Sequence, residues 1–358
     1  MHSMNAFAQA ALDPCHVLAE RGGLLGLTFS SAFPIEVLDA FGLEAAEVPP
    51  LSAISTPIAD SRIQSFACAY VRAAAEVVLS RGLTVTLLAH ASGCDARTAL
   101  RGVLKDVAPS VELKLPMVTS GPLAARQAQT ALWETIKGLQ ETLGRPLDLD
   151  AMREAAEIRE RVRLFLSELF EGLSTGRVSA RYAYEAAFAA MVMRPKDFLD
   201  EASVAKVPEG GGRGIRLLLS GAHMPTIQMI EAMESLGGQV VLDDTCSRGA
   251  SRRLPEARDI FGAIAQSLLS GMVPDPDRID PLRVERLVAR AREAGVQAAV
   301  LLHRKYCDPC AFEAPLILSA LRACGIPGLV LEVDRDVGLS ERDLGRLQAL
   351  LESLPAGG

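Results

Sequence analysis

The chain is poor in aromatic residues, which make up 4% of its 358 positions and include one tryptophan. That scarcity argues against a surface on which nucleic-acid bases stack. It also lacks a concentrated basic stretch: the net charge is −7 and both signs are dispersed. A nucleic-acid partner is therefore not expected. No apolar run approaches the roughly 18 residues of a membrane-spanning helix. Met1 to Cys15 has no basic start followed by an apolar core, so no secretory signal is read there. The dense cysteine runs of ferredoxin-type proteins are missing, and seven cysteines, an odd number, do not suggest a secreted disulfide framework. The expectation is a soluble cytoplasmic protein with reduced thiols and no membrane partner.

What is present suits two cores. Hydrophobic residues make up 49% of a chain too long for one average domain. Short apolar runs read as strands at 23–29, 83–89, 111–118, 215–219, 239–242, 298–302 and 328–333. Helical spacing separates them at 35–41, 63–79, 226–236, 255–269, 283–294 and 314–324. Strands alternating with helices imply parallel sheets with crossover helices. The middle differs, with long amphipathic patterns at 123–143 and 150–173, the second capped by Asp148 or Asp150. The fold class expected is α/β, two parallel-sheet domains with a helical segment between them. Boundaries are placed at 16–122, 123–208 and 209–358. Glu209 to Gly214 is glycine-rich but precedes a strand instead of opening a helix, so it reads as a connector and not a phosphate loop.

Chemistry concentrates in the cysteines. Cys307 and Cys310, in Lys-Tyr-Cys-Asp-Pro-Cys, follow the apolar run 298–302 at a strand end, where α/β sheets collect ligands. Cys94 follows a strand in His-Ala-Ser-Gly-Cys-Asp, and Cys68 lies near the start of a helix. Thiolates in such places gain from backbone N–H groups and the helix dipole, which suits them to metal. Three of them converging could hold three irons of a cubane and leave the fourth open. The plainer alternative is that each is a small buried hydrophobe. Cys15 and Cys324 read that way.

Residues 302–334, LHRKYCDPCAFEAPLILSALRACGIPGLVLEVD, resemble the C-terminal signature of the 2-hydroxyacyl-CoA dehydratase D-component family. That family includes subunits of ATP-dependent benzoyl-CoA reductases and double-cubane cluster proteins. Ser30-Ser31-Ala32-Phe33-Pro34-Ile35-Glu36 resembles its N-terminal motif, 217–248 its middle motif, and 143–150 its Gly-x-x-Leu-Asp helix opening. The resemblance implies flavodoxin-like domains around a 4Fe–4S cluster, with a double-cubane cluster as the variant. It implies Cys68, Cys94 and Cys307 as metal ligands, Ser31 beside the thioester or open iron, and Glu36 as a supporting carboxylate; Cys310 and Cys246 depart from its pattern and could be alternative or additional thiolates. It also implies an acyl-CoA substrate, a related subunit or second copy as partner in a dimer, and an ATP-dependent iron–sulfur activator. The activity implied is a lyase or acyl-CoA reductase of anaerobic metabolism using one-electron, ketyl-radical chemistry. The rival is a cluster protein that transfers low-potential electrons or reduces small molecules without CoA esters.

Other polar residues carry two readings each. His90 and His303 flank cysteine loops and could donate a proton to product or bond a sulfide, or be structural. His223 sits at a strand tip or a helix start. Asp243-Asp244 could order a ligand loop or cap their own turn. Arg248, Arg252 and Arg253 could hold CoA phosphates or face solvent. The mixed-charge helices at 152–163 and 283–292 read as exposed faces or a subunit contact.

Overall fold

The computed structural model describes residues 5–51, 54–80, 82–210, 214–222, 224–269, 278, 280–334 and 338–354. Two short helices, α1 (Ala6–Leu12) and α2 (Pro14–Glu20), precede the first alternating unit. That unit runs β1 (Leu25–Thr28), α3 (Ile35–Ala40), β2 (Glu44–Glu47), α4 (Pro57–Asp60), α5 (Ala69–Ser80), β3 (Val85–Ala91), α6 (Asp95–Leu104) and β4 (Ser110–Leu113). Four helices follow: α7 (Pro122–Leu143), α8 (Leu149–Leu173), α9 (Ala180–Val192) and α10 (Pro195–Val204). The second unit runs β5 (Ile215–Gly221), α11 (Ile227–Ser235), β6 (Gly238–Thr245), a 3-10 turn (Cys246–Gly249), α12 (Ile260–Ser267), α13 (Arg283–Glu293), β7 (Ala298–Arg304), α14 (Asp308–Ala323), β8 (Gly328–Val333) and α15 (Glu341–Glu352).

Both sheets are wholly parallel and share one order. The first is β2-β1-β3-β4 and the second β6-β5-β7-β8. The α/β expectation is met. In each sheet the chain leaves the inner strand to one side and returns on the other. The crevice at that reversal, outside the carboxyl ends of the strands, is where such sheets bind ligands.

Helix α9 holds the two sheets together. Apart from Arg181 its residues are buried, and it touches β2 of one sheet and β6 of the other. Its sequence, ARYAYEAAFAAMV, is rich in alanine, which lets neighbouring backbones approach closely. Helix α8 clamps the first unit through Arg159, whose guanidinium bonds Asp39 at 2.7 and 3.1 Å and the Ala45 carbonyl at 2.9 Å.

Several elements differ from the sequence expectation: the helix expected over 314–324 begins earlier, at Asp308, and the one expected over 255–269 begins later, at Ile260. Strand β2, Glu-Ala-Ala-Glu, has no β-branched or aromatic residue and is recruited by pairing with β1. The helix expected over 63–79 begins only at Ala69. Glu76 accepts the N–H groups of Ile58 and Ala59 at the head of α4, and Arg72 bonds Asp60, so the preceding segment turns back on α5. The strand expected over 111–118 stops at Leu113, ahead of Pro116, which cannot donate to a ladder. Asp148 does cap α8, accepting from the amides of Asp150 and Ala151.

Candidate functional site

The carboxyl ends of six strands face one cavity. Phe29, Ser30 and Ser31 follow β1, Glu47 ends β2, and Cys94 and Arg97 follow β3. From the second sheet come Ala222 after β5, Cys246 after β6, and Arg304 with Cys307 at the end of β7. Cys68, at the head of α5, and Met191 of α9 complete much of the wall. The room open to a water's centre is about 80 Å³, space for several waters or one small inorganic group.

Ser31, Cys68, Cys94 and Cys307, distant in sequence, thus share one wall. All seven cysteines are thiols, with no disulfide. Cys94 caps α6, its carbonyl accepting the Arg97 and Thr98 amides. Cys307 caps α14 in the same way, accepting from Ala311. Just before it Tyr306 has φ +63°, a left-handed conformation that costs a side-chain-bearing residue about 1–2 kcal/mol. That turn brings the chain from β7 straight into the α14 cap. Such strain gathers where a site over-determines its backbone. Cys310 lies one turn behind, buried, hydrogen-bonded to Cys307 and accepting the Ala222 amide. The bond to Cys307, then burial, pushes its thiol acidity far down.

The most informative side chain escaped the sequence reading. Arg304 is 8% exposed, and its guanidinium carbon lies 5.0 Å from the centre of the Tyr70 ring. Burial alone would favour loss of its proton. The neighbouring sulfurs of Cys68, Cys246, Cys307 and Cys310 act in the other direction, and the guanidinium stays cationic. Tyr70 is fixed in turn, its hydroxyl between the carbonyls of Phe29 and Val48 at 2.9 and 3.0 Å. Arg97, Arg252 and Arg278 line the same cavity. Among the described residues, one carboxyl, Glu47, stands against these four cations. A thiol-rich, cation-rimmed cavity favours a guest of net negative charge, as a thiolate-ligated iron–sulfur group is. Among the described residues no three His, Cys, Asp or Glu side chains close on a single ion. A cubane makes no such demand, because each thiolate takes a different iron. The donor set fits that group.

Glu47 accepts the Ser31 amide, and burial pushes its carboxyl up to about 7, with Arg252 and Arg97 pulling the other way. A carboxyl bound more tightly to its proton in the folded state favours folding at low pH. That stabilisation is present below the usual carboxylate value of 4.5 and is lost as pH rises to about 7. Glu47 keeps some exposure, so the loss is at most about 3 kcal/mol. Urea titrations of metal-free protein from pH 4.5 to 8 should show it in the native chain and not in Glu47→Gln. Equal pH dependence in both would contradict the assignment.

Ser31 is held from the opposite lobe. A Cβ built on Gly249 would lie 2.1 Å from the Ser31 hydroxyl oxygen and 2.2 Å from its Cβ. Gly249→Ala is therefore expected to displace Ser31 and cost about 1–3 kcal/mol, as overpacking does. Thermal melts and the exchange of the Ser31 amide would both register it. An unchanged melt and amide would remove the constraint. Gly221, at φ +127°, is constrained in a similar way by the neighbouring strand. A Cβ there would meet the Leu302 carbonyl at 2.3 Å, so only glycine lets β5 end against β7.

Other expected residues stand back from the cavity. Glu36 is 1% exposed and bonds Arg163 of α8 at 2.5 Å. Burial would raise its pKa, but the Arg163 charge, its own amide and the Arg163 bond win and keep it ionised. His90 lies behind Phe29, ring centres 5.0 Å apart, and burial, then Arg101, pull it down to about 4. Its Nε2 has no partner among the described residues. His303 faces its own loop, Nε2 to the Cys307 carbonyl at 3.3 Å. His223 and the side chain of Arg248 lie outside the described residues. Asp243 and Asp244 are buried in networks with Tyr184, Thr245, Ser247, Ser220 and Arg283. Arg253 pairs with Glu160 on the surface, whereas Arg252 turns inward.

Known proteins resemble this chain in sequence. The family described as 2-hydroxyglutaryl-CoA dehydratase, D-component, matches residues 30–354. The beta subunit of (R)-2-hydroxyglutaryl-CoA dehydratase from Acidaminococcus fermentans is 24% identical over 268 residues, covering 70% of this chain and 69% of its own. Two structures of the laminin-binding protein Lmb of Streptococcus agalactiae align over 92% of this chain and 98% of theirs. Their identity is 11% and the TM-score 0.21, and nothing follows from that likeness.

Proposed function

The chain belongs to the 2-hydroxyglutaryl-CoA dehydratase D-component family, and on that premise we propose that it is the iron–sulfur subunit of a dehydratase-type enzyme acting on acyl-CoA thioesters. Convergence of Cys68, Cys94 and Cys307 on one cavity carries the reading. These three thiolates would hold a 4Fe–4S cluster, and Arg304 would balance its charge from the second sheet. Such a cluster, when bound, supplies one electron at low potential and, where an iron is open, a Lewis acid. That electron matters because the proton lost in dehydration sits on an unactivated carbon, beyond any side-chain base. A ketyl radical at the thioester carbonyl removes the difficulty.

The protein's own groups would shape the approach. Ser31 presents its hydroxyl beside the thiols, and Glu47 can carry a proton near neutral pH. His90 and Glu36 act behind the wall, the first by packing Phe29 and the second by anchoring α3 to α8. A second cleft of about 420 Å³ shares Pro50 with the cysteine cavity, and Leu12, Leu51 and Arg181 line it. It offers a thioester arm a route to the thiols.

A partner subunit is part of the proposal. Tyr306, Phe312 and Leu316, at and beyond the head of α14, are 45%, 79% and 62% exposed, an apolar surface beside the Cys307 loop. An ATP-dependent iron–sulfur activator would deliver the electron. The test is anaerobic dehydration of a 2-hydroxyacyl-CoA thioester by the chain with its partner and activator. Activity is expected only when all are present and to vanish in Cys307→Ala. Dehydration unaffected by that substitution would overturn the reading.

A further inference from the structure

We propose that Cys307 and Cys310 form a reversible dithiol–disulfide couple, and that closing it withdraws Cys307 from the cavity. The consequence for iron rests on the reading above, whereas the couple itself does not.

The pair has the setting of a redox motif. Cys-Asp-Pro-Cys stands between β7 and α14, in a unit that returns to the sheet as β8, where a Cys-x-x-Cys exchanges disulfides. Cys307 is the N-cap of a 16-residue helix, and Cys310 lies in its first turn. The Cys307 side is half-buried, while Cys310 is 5% exposed behind it. That asymmetry separates a sulfur that can meet an outside disulfide from one that can only resolve it. The two side chains already hydrogen-bond, so their sulfurs need only a small closure.

Cys310 is also held as a reacting group would be. It does not line the cavity, so the cluster reading leaves it without work. A thiol that merely filled space would be met by apolar side chains alone. This one takes the Ala222 amide from the end of β5 and bonds a second thiol.

The turn that carries both sulfurs is set off on either side. Before it, Tyr306 has φ +63°. Beyond it, Pro315 stands inside α14 and has no N–H for the Ala311 carbonyl four residues back. The first turn can therefore tighten without disturbing β7 or the body of α14.

The oxidant is a low-molecular-weight disulfide of the glutathione class. Cys307 attacks one of its sulfurs, the S–S bond breaks and one thiol leaves. Cys310 then attacks the Cys307 sulfur and displaces the second thiol. Two electrons and two protons pass from the pair to the oxidant, which ends as two thiols. A dithiol reductant reverses both steps.

The experiment treats the metal-free full chain with oxidised glutathione, alkylates the remaining thiols and maps the peptides by mass. The native chain is expected to yield Cys307 and Cys310 joined and unalkylated, lighter by two hydrogens than the dithiol. Cys310→Ser should instead hold glutathione on Cys307, because nothing resolves the mixed disulfide. The oxidised native chain should load no iron under conditions that load the reduced one, until dithiothreitol restores its thiols. Native protein in which both thiols are still alkylated overturns the proposal, and that result does not depend on how any variant folds. Glutathione kept on Cys307 of the native chain, or an oxidised chain that loads iron as fast as the reduced one, overturns it too. A disulfide that forms in a chain unable to load iron even when reduced leaves the couple standing and removes the cluster reading.

Discussion

Replacing Arg283 by methionine should destabilise the protein by about 3–5 kcal/mol, the cost of stripping a buried ion pair of one partner. Its guanidinium bonds Asp244 at 2.9 and 3.2 Å and Glu313 at 2.7 Å, with side-chain exposures of 7%, 2% and 18% for the three. Methionine matches much of the volume, so the loss reports charge and not a cavity. Burial already raises the Glu313 pKa, and Arg283 is the main force holding it down. The variant should therefore regain part of its deficit as pH falls through the carboxylate range, because protonation removes the stranded charge. Asp244 lies near the end of β6, two residues before Cys246, and Glu313 lies on α14 six residues after Cys307. One arginine thus sets the spacing of two cavity thiols. Urea unfolding measures the stability, and iron retention should fall with it. A loss under about 1 kcal/mol would mean the cluster behaves like an exposed pair.

Glu36→Ala should cost a similar amount, about 3–5 kcal/mol, for the complementary reason. It leaves the Arg163 guanidinium, 10% exposed, without its main counter-ion, since Glu160 approaches only to 3.7 Å. Glu36 also sits in the first turn of α3, where a negative charge is favoured by the helix dipole. Because its pKa is lowered in the folded state, its contribution is full above the unfolded carboxylate value and is lost as pH falls through the folded one. Native and variant stabilities should therefore converge in acid. A supporting role, as opposed to contact with substrate, predicts that Glu36→Gln lowers stability more than it changes turnover per folded molecule. Turnover abolished in a fully folded variant would move Glu36 into the chemistry.

Much of this fold could be read from short-range pattern. Runs such as 328–333 are apolar, β-branched and bounded by glycine or charge, and β8 has those limits. Cys94 and Cys307 could be placed at strand ends because the strands before them were plain. Strand β2 could not, because Glu-Ala-Ala-Glu has no strand signal of its own and exists only through β1. Arg304 was missed for a related reason. In sequence it is one basic residue in His-Arg-Lys-Tyr, and nothing local tells that β7 buries it among thiols from three other segments. Glu47 shares that history, whereas Arg252 and Cys246 could be named from the sequence but not placed beside the other thiols. The available signal was positional: each follows a strand at its carboxyl end, and each end of a doubly wound sheet faces the same crevice. His90 shows the converse, adjacent in sequence to a cysteine loop yet screened from the cavity by Phe29.

The central claim, that thiols from both sheets jointly hold an iron–sulfur cluster, is met most directly by counting iron and acid-labile sulfide in anaerobically reconstituted protein, native beside Cys307→Ala. About four of each per native chain, the content of one cubane, with both lost from a Cys307→Ala chain of unchanged circular dichroism, is the predicted outcome. Native protein that stays colourless and metal-free would contradict it.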